Sequence, residues 1–206
     1  MLGLPKATEL SKQLPKNAIY AKFQMNTAEK AKIDADISRI TIVNEVSAEK
    51  VHIAAGNQVK SFFVLLVALK KKDFDDKTII TISKLIPQNM LLILECGDEA
   101  KLATYHSKLM QTEWKRKEAL SVEVKGLNLD SVWENIIMQI GGITINQGNT
   151  LDEQIAADEY RQKIEKKIAK LEKQARAEKQ PKKKFELAQR VKALKKLIKE
   201  LNGSEE

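Results

Sequence analysis

Two apolar stripes separated by a single proline constrain the C-terminal part of this chain. The first stripe recurs at steps of three or four residues, which is the spacing of one helix face, and consists of Tyr160, Ile164, Ile168, Leu171 and Ala175. A second stripe has the same spacing and consists of Leu187, Val191, Leu194, Ile198 and Leu201. Pro181 lies between them and lacks the amide hydrogen that a continuous helix requires. The pattern predicts a folded-back hairpin of two helices over residues 151–202.

The same segment is strongly basic. Residues 161–199 contain sixteen Lys and Arg but four Asp and Glu, whereas the whole chain of 206 residues has a net charge of +8. Such clustering is typical of a surface that binds nucleic-acid phosphates, and it is also compatible with a solvated helix face that keeps the hairpin soluble. The predicted nucleic-acid-binding residues are Lys163, Lys166, Lys167, Lys170, Lys173, Arg176, Lys182, Lys183, Lys184, Arg190, Lys192, Lys195, Lys196 and Lys199.

The apolar stripes need a surface to lie against. We predict that the second stripe contacts a protein partner through Leu187, Val191, Leu194, Ile198 and Leu201. About three heptads support it, so self-association through a coiled coil remains an alternative. We interpret Tyr160 and Phe185 as members of the stripes, and stacking on unpaired bases is therefore not expected.

The preceding residues alternate between strand and helix patterns. Strands are expected at Ala18–Phe23, Ile40–Val46, Val59–Leu69, Met90–Cys96, Lys101–His106 and near residues 109–114 and 120–124. Helices are expected from Thr27 to Arg39, from Lys77 to Ile86, and after an N-cap at Asp130 as far as Gly141-Gly142.

These elements predict an α+β domain over residues 1–145. It consists of a mixed or antiparallel sheet with flanking helices, and Val59–Leu69 is its buried central strand. A linker at 146–150, the basic helical hairpin at 151–202 and a disordered end at 203–206 complete the predicted organisation.

Composition limits where the chain works. Cys96 is the one cysteine, which excludes an internal disulfide and favours a reducing compartment. The longest apolar run, Phe62 to Leu69, is far shorter than the ~20 residues of a membrane helix. The first residues lack a basic region followed by an apolar stretch. We therefore expect a cytoplasmic protein without a membrane partner.

No familiar catalytic motif is present. The sequence lacks a Walker loop, a dinucleotide fingerprint and a nucleophile elbow, and His52 and His106 are more simply structural residues. We predict no enzyme activity, no cofactor and no metal site. The alternative is a metal-dependent nuclease built on Asp73, Asp75, Glu95, Glu99 and Lys101.

Several segments together carry a family resemblance. They are Leu2-Gly3-Leu4-Pro5-Lys6, Gln13-Leu14-Pro15-Lys16, Ala18-Ile19-Tyr20-Ala21-Lys22-Phe23, Ser83-Lys84-Leu85-Ile86-Pro87-Gln88, Thr104-Tyr105-His106-Ser107-Lys108-Leu109, Thr112-Glu113-Trp114 and Gly126-Leu127-Asn128-Leu129-Asp130-Ser131-Val132-Trp133-Glu134-Asn135-Ile136. Over residues 1–142 the chain resembles an uncharacterised bacterial family, domain of unknown function 4391. The resemblance implies genes encoded beside type-III-like or Snf2-like helicases and DNA methyltransferases in restriction or antiphage clusters. It implies no catalytic residues.

These observations lead to one functional hypothesis and two alternatives. The hypothesis is a non-catalytic accessory or adaptor subunit of a bacterial restriction or antiviral defence system. It docks on a DNA helicase, a translocase or a DNA methyltransferase, and its basic helices contact nucleic acid, with DNA favoured over RNA. The alternatives are the metal-dependent nuclease and a purely structural coiled-coil assembly module, including a homo-oligomer formed through the tail.

Overall fold

The computed structural model describes residues 2–146 and 148–203. The chain divides between Gly142 and Ile143 into two compact units. We call residues 2–142 the sheet domain. The predicted disordered end falls on residues 204–206, outside the described residues, and on Gly203, which is the last residue of the final helix.

One mixed sheet of seven strands organises the sheet domain. The strands are β1 (Glu9–Leu14), β2 (Ile37–Ser47), β3 (Ser61–Leu69), β4 (Asn89–Cys96), β5 (Glu99–His106), β6 (Lys108–Gln111) and β7 (Lys115–Arg116). Strands β1 to β6 follow one another across the sheet in chain order, and β7 pairs with β5. The pairing of β3 with β4 is parallel, and the other pairings are antiparallel.

Helices cover both faces of this sheet. They are α1 (Lys16–Lys22), α2 (Thr27–Asp36), α3 (Ala48–Val51), α4 (Asp76–Ser83) and α5 (Leu129–Gly141). On one face α1, α2 and α4 contribute Ile19, Ile33 and Ile79 to a core shared with Leu65 and Leu92 of the central strands. On the other face Trp133 of α5 packs against Phe62 of β3, with ring centroids 5.1 Å apart.

The predicted α+β class is confirmed, and several elements lie where the pattern placed them. Strand β3 is central, as expected from its continuous apolar run, and β4 and β5 form the predicted hairpin around Gly97-Asp98. Asp75 caps α4, because its carboxylate accepts a hydrogen bond of 2.9 Å from the Lys77 amide. Gly142 ends α5 in the left-handed conformation with a φ of 60°.

The predicted strand at Ala18–Phe23 is wrong. This segment belongs to helix α1, and the strand before it is β1, whose residues are almost all exposed. An edge strand that faces solvent lacks the apolar alternation by which strands are recognised in a sequence. The strand expected near 120–124 is also wrong, since only an isolated bridge at Ser121 is formed there.

Two helix starts differ from the predicted ones. Helix α2 is capped by Asn26, whose side chain and that of Glu29 form a reciprocal capping box. The helix is shorter than predicted, because residues from Ile37 onward belong to β2. Asn128 rather than Asp130 caps α5. The Asp130 carboxylate instead accepts hydrogen bonds from the backbone amides of residues 57–59, the shortest being 2.6 Å.

The second unit contains the predicted pair of C-terminal helices. They are α6 (Leu151–Ala177) and α7 (Pro181–Gly203), and we call them the helical hairpin. Thr150 and Glu153 form a capping box at the start of α6. No helix in the described part of the chain is long and apolar enough to cross a membrane.

Candidate nucleic-acid interface

The apolar stripes of α6 and α7 meet each other. Ile164, Ile168 and Val191 are buried between the two helices. Four half-buried side chains pack around them, and together the seven residues form what we call the hairpin seam: Ile164, Ile168, Leu171, Val191, Leu194, Leu197 and Ile198. The hairpin therefore has a small apolar core of its own.

The predicted partner-contact residues lie mostly in this seam. Val191, Leu194 and Ile198 belong to the seam. Leu187 is half-buried and lies nearer the connection between the helices. The side chain of Leu201 lies outside the described residues. Contact of these positions with a protein partner stays a prediction, and in this structure three of them serve the packing of α6 on α7.

All fourteen predicted nucleic-acid-binding residues are exposed. Six of them lie on α6 and eight on α7. Because the seam occupies the inner face of each helix, the cations are left on the outer and lateral faces. The structure thus places every predicted cation where it can reach a ligand in solution.

Five lysines form one stripe along α6. At about 100° per residue they occupy an arc of about 120° beside the seam. We call Lys163, Lys166, Lys167, Lys170 and Lys173 the α6 lysine stripe. Within the described residues, no hydrogen bond or ion pair involves these five side chains. Their charge is therefore available to an external anion.

Acidic residues lie on the other flank of α6. Glu172 forms an ion pair with Lys195 of α7, at 2.8 Å between Oε1 and Nζ. This hydrogen bond and the charge of Lys195 lower the pKa of the Glu172 carboxyl. The pair joins the helices across one side of the seam, so Lys195 differs from the α6 lysine stripe in having an internal partner.

Phe185 does not belong to an apolar stripe, and the interpretation drawn from the sequence is wrong for this residue. The side chain of Phe185 is 64% exposed. The neighbouring residues from Pro181 to Glu186 are exposed as well. The sequence spacing already indicated that Phe185 is not on the stripe. Phe185 precedes Leu187 by two residues and Val191 by six, and residues at these separations do not share a helix face. Tyr160 is 50% exposed on α6.

The cations of the sheet domain are arranged differently. Lys72 forms an ion pair with Glu99, and Lys71 lies 3.0 Å from the buried carboxylate of Asp36. Lys101 lies between two aromatic rings, 4.8 Å from the Phe74 centroid and 5.1 Å from that of Trp114. Burial lowers the pKa of Lys101. These lysines are engaged within the fold.

The structure separates two of the nuclease candidates, Glu95 and Lys101. Glu95 is opposite Ala100 on β5, whereas Lys101 is opposite Leu94, so the two side chains lie on different faces of the sheet. Glu95 forms an ion pair with Lys117, with 2.8 Å between Oε1 and Nζ. In the described ranges, no three His, Cys, Asp or Glu residues are grouped so that they could hold a metal ion.

Comparison with known proteins identifies a family. The model of the domain of unknown function DUF4391 matches residues 2–198. The chain belongs to this family. The match extends well beyond the residues 1–142 over which the resemblance was expected, and it includes α6 and most of α7. No curated protein and no solved structure matches the chain.

Proposed function

We propose that this DUF4391 protein is a non-catalytic accessory subunit that contacts DNA through its helical hairpin. Its sheet domain docks on a DNA helicase, a translocase or a methyltransferase of a bacterial restriction or antiviral defence system. The hairpin contributes sequence-independent affinity by contacting phosphates. Cytoplasmic location follows from this role.

One observation carries the DNA-binding part of the proposal. The hairpin exposes fourteen basic side chains, while the seven residues of its seam pack against each other. A helix pair that needed charge only for solubility would tolerate balanced acids and bases, whereas this pair has a large excess of one sign. Lysines without internal partners can bind phosphates without first breaking contacts within the protein. Their binding also releases counterions from the nucleic acid.

The family match and an expectation drawn from the resemblance also support the proposal. Residues 2–198 match the family, so the hairpin is part of the family domain rather than an addition to it. The gene neighbourhood that the resemblance implies, with helicases and DNA methyltransferases, favours DNA as the polyanion. The absence of a convergent acid cluster in the described residues offers no support to the nuclease alternative.

Salt-dependent DNA binding tests the proposal. Fluorescence anisotropy of a labelled duplex is measured with the full chain at several salt concentrations. We expect the logarithm of the affinity to fall linearly with the logarithm of salt, with a slope of about −0.9 for each phosphate contacted. Replacing the α6 lysine stripe with glutamine should make this slope shallower by about 0.9 for each contact that is lost.

A matched variant controls for overall charge. Lys12, Lys32, Lys77, Lys115 and Lys125 are exposed lysines of the sheet domain, and replacing all five with glutamine changes the net charge by the same amount. This variant should retain most of the affinity. An equal loss in both variants, or no binding at low salt, would refute the proposed role of the hairpin.

The accessory role is tested separately. Tagged protein purified from its native host should bring down a helicase or methyltransferase, and deletion of residues 151–206 should leave that association intact. Incubation of DNA with the protein and Mg²⁺ or Mn²⁺ should give no cleavage. Cleavage that disappears with Glu95→Gln would instead support the nuclease, and partner loss on deletion would support the coiled-coil module.

A further inference from the structure

The outer face of α7 carries a second regular stripe. Its members follow one another at steps of three, four, three, four and three residues, so they share one helix face. All are exposed, and we call them the α7 outer stripe: Lys182, Phe185, Gln189, Lys192, Lys196 and Lys199. The stripe lies opposite the seam and combines one aromatic ring, one amide and four cations.

The fold gives no structural reason for Phe185. Its ring is not part of the seam, and within the described residues it makes no aromatic or cation–π contact. Exposing 64% of a phenylalanine leaves a large apolar surface in water. Lys183 and Lys184 are also exposed beside it. An aromatic ring surrounded by cations matches a ligand that is itself both aromatic and anionic.

We propose that the α7 outer stripe binds single-stranded DNA, with the Phe185 ring stacked on an unpaired base and the lysines on the flanking phosphates. This inference rests on the proposed function and specifies the form of nucleic acid that the hairpin prefers. In a duplex the base faces are covered by their neighbours, so a side-chain ring outside reaches only base edges and backbone. In a single strand the faces are accessible, and stacking tolerates any base.

The length of the stripe sets the size of the site. Lys182 and Lys199 are separated by 17 positions, which at 1.5 Å per residue corresponds to about 26 Å. The rise of about 3.4 Å per nucleotide of a strand in a duplex sets about eight nucleotides as the upper limit for this distance, because an unstacked single strand is more extended. Affinity should therefore increase with oligonucleotide length up to about eight and then change little.

The decisive experiment compares three ligands with the full chain at one low salt concentration. They are a labelled single strand of ten nucleotides, a duplex of the same length, and an abasic strand that keeps the phosphates but lacks the bases. We expect the single strand to bind tightest. Removing the bases should weaken binding about 5- to 100-fold, which is about the range expected for one base stacked on one ring. An RNA strand of the same sequence tests whether the sugar matters.

Variants of Phe185 assign the stacking to this ring. Phe185→Ala should reduce binding of the single strand to the level of the abasic strand, with little change for the duplex. Phe185→Trp should restore it, whereas Phe185→Leu keeps an apolar side chain and should not. Tyr160→Ala removes a half-exposed aromatic side chain of α6 and should have no effect. Circular dichroism of each variant confirms that the helices are retained.

The outcomes separate this inference from the proposed function. Equal binding of single strand, abasic strand and duplex, unchanged by Phe185→Ala, would overturn the inference while leaving phosphate binding by the hairpin in place. Binding of none of the three would overturn both. An acidic peptide of equal charge is measured as a further control, and a preference for it over the single strand would also overturn the inference, since it would make the stripe a protein-binding surface.

Discussion

The sheet domain and the helical hairpin handle charge in opposite ways. In the sheet domain, lysines pair with acids from distant parts of the chain, as in Lys16 with Asp34 at 2.7 Å and Lys117 with Glu95 at 2.8 Å. On the hairpin, the α6 lysine stripe has no such partner within the described residues. Paired charges help to define a fold, whereas unpaired charges of one sign act on other molecules. The comparison therefore separates a region in which several lysines have acidic partners from the region that we propose contacts nucleic acid.

The two regions also differ in their cores. The sheet domain buries a continuous set of strand and helix residues, several of them completely inaccessible, such as Leu65 and Leu92. The seam of the hairpin contains three buried residues, with Ile168 and Val191 still 8% and 9% exposed. The hairpin should consequently be the more easily unfolded region, since less apolar surface supports it.

The largest effect is expected from a charge placed in the seam. Ile168→Asp buries a carboxylate without a partner, at a cost of about 3–5 kcal/mol. The hairpin should lose helical circular dichroism and DNA binding. Trp114 and Trp133 both lie in the sheet domain, so their fluorescence should still report a folded unit. Ile168→Val is the control, and a loss of the tryptophan signal together with the helical signal would show that the regions unfold as one.

A smaller effect is expected from Gly56→Ala in the sheet domain. A Cβ atom here would overlap the Asp130 carboxylate and lie 2.7 Å from the Asp130 backbone nitrogen. We expect a loss of about 1–3 kcal/mol, measured as a lower tryptophan melting temperature. Asn57→Ala, on the exposed neighbouring residue, should leave it unchanged. An equal shift in DNA affinity would contradict the separation of the regions.

The smallest effect is expected for the pH dependence of the stability of the sheet domain. Backbone hydrogen bonds, led by that from Val59, lower the pKa of Asp130 below its ordinary value. The ionised carboxylate therefore stabilises the sheet domain above about pH 4, and this contribution is lost as the pH falls through the folded-state pKa. Asp130→Asn should lower the tryptophan melting temperature at pH 7, and its difference from the natural protein should shrink toward pH 3. A difference independent of pH would contradict the role of the charge.

Periodic segments were predictable from the sequence because their pattern reflects burial directly. The heptad spacing around Val191, the continuous run of β3 and the turn at Gly97-Asp98 each express a local rule. The same reasoning failed for β1, whose exposed residues carry no alternation. It also failed for α1, where the loose alternation of Ala18–Phe23 resembles that of a strand. The segment is helical, and Ile19 is its one buried residue.

Long-range contacts were not predictable. Asp130 has the composition of an N-cap, yet its carboxylate binds amides more than 70 residues earlier in the chain. Its true role depends on the position of the 57–59 loop, which no local pattern specifies. In the candidate interface, by contrast, the exposed cations followed from composition, and the exposure of Phe185 could have been inferred from its spacing to Leu187 and Val191.

The connections between paired strands of the sheet have a consequence for how the protein folds. Strands β3 and β4 pair in parallel across residues 70–88, which contain α4. Strands β1 and β2 pair across residues 15–36, which contain α1 and α2, whereas β4 and β5 are joined by a short turn. Contacts that close longer loops form more slowly. The pairings of β1 with β2 and of β3 with β4 are therefore expected to limit the rate of refolding, and substitutions that destabilise α2 or α4 should slow it.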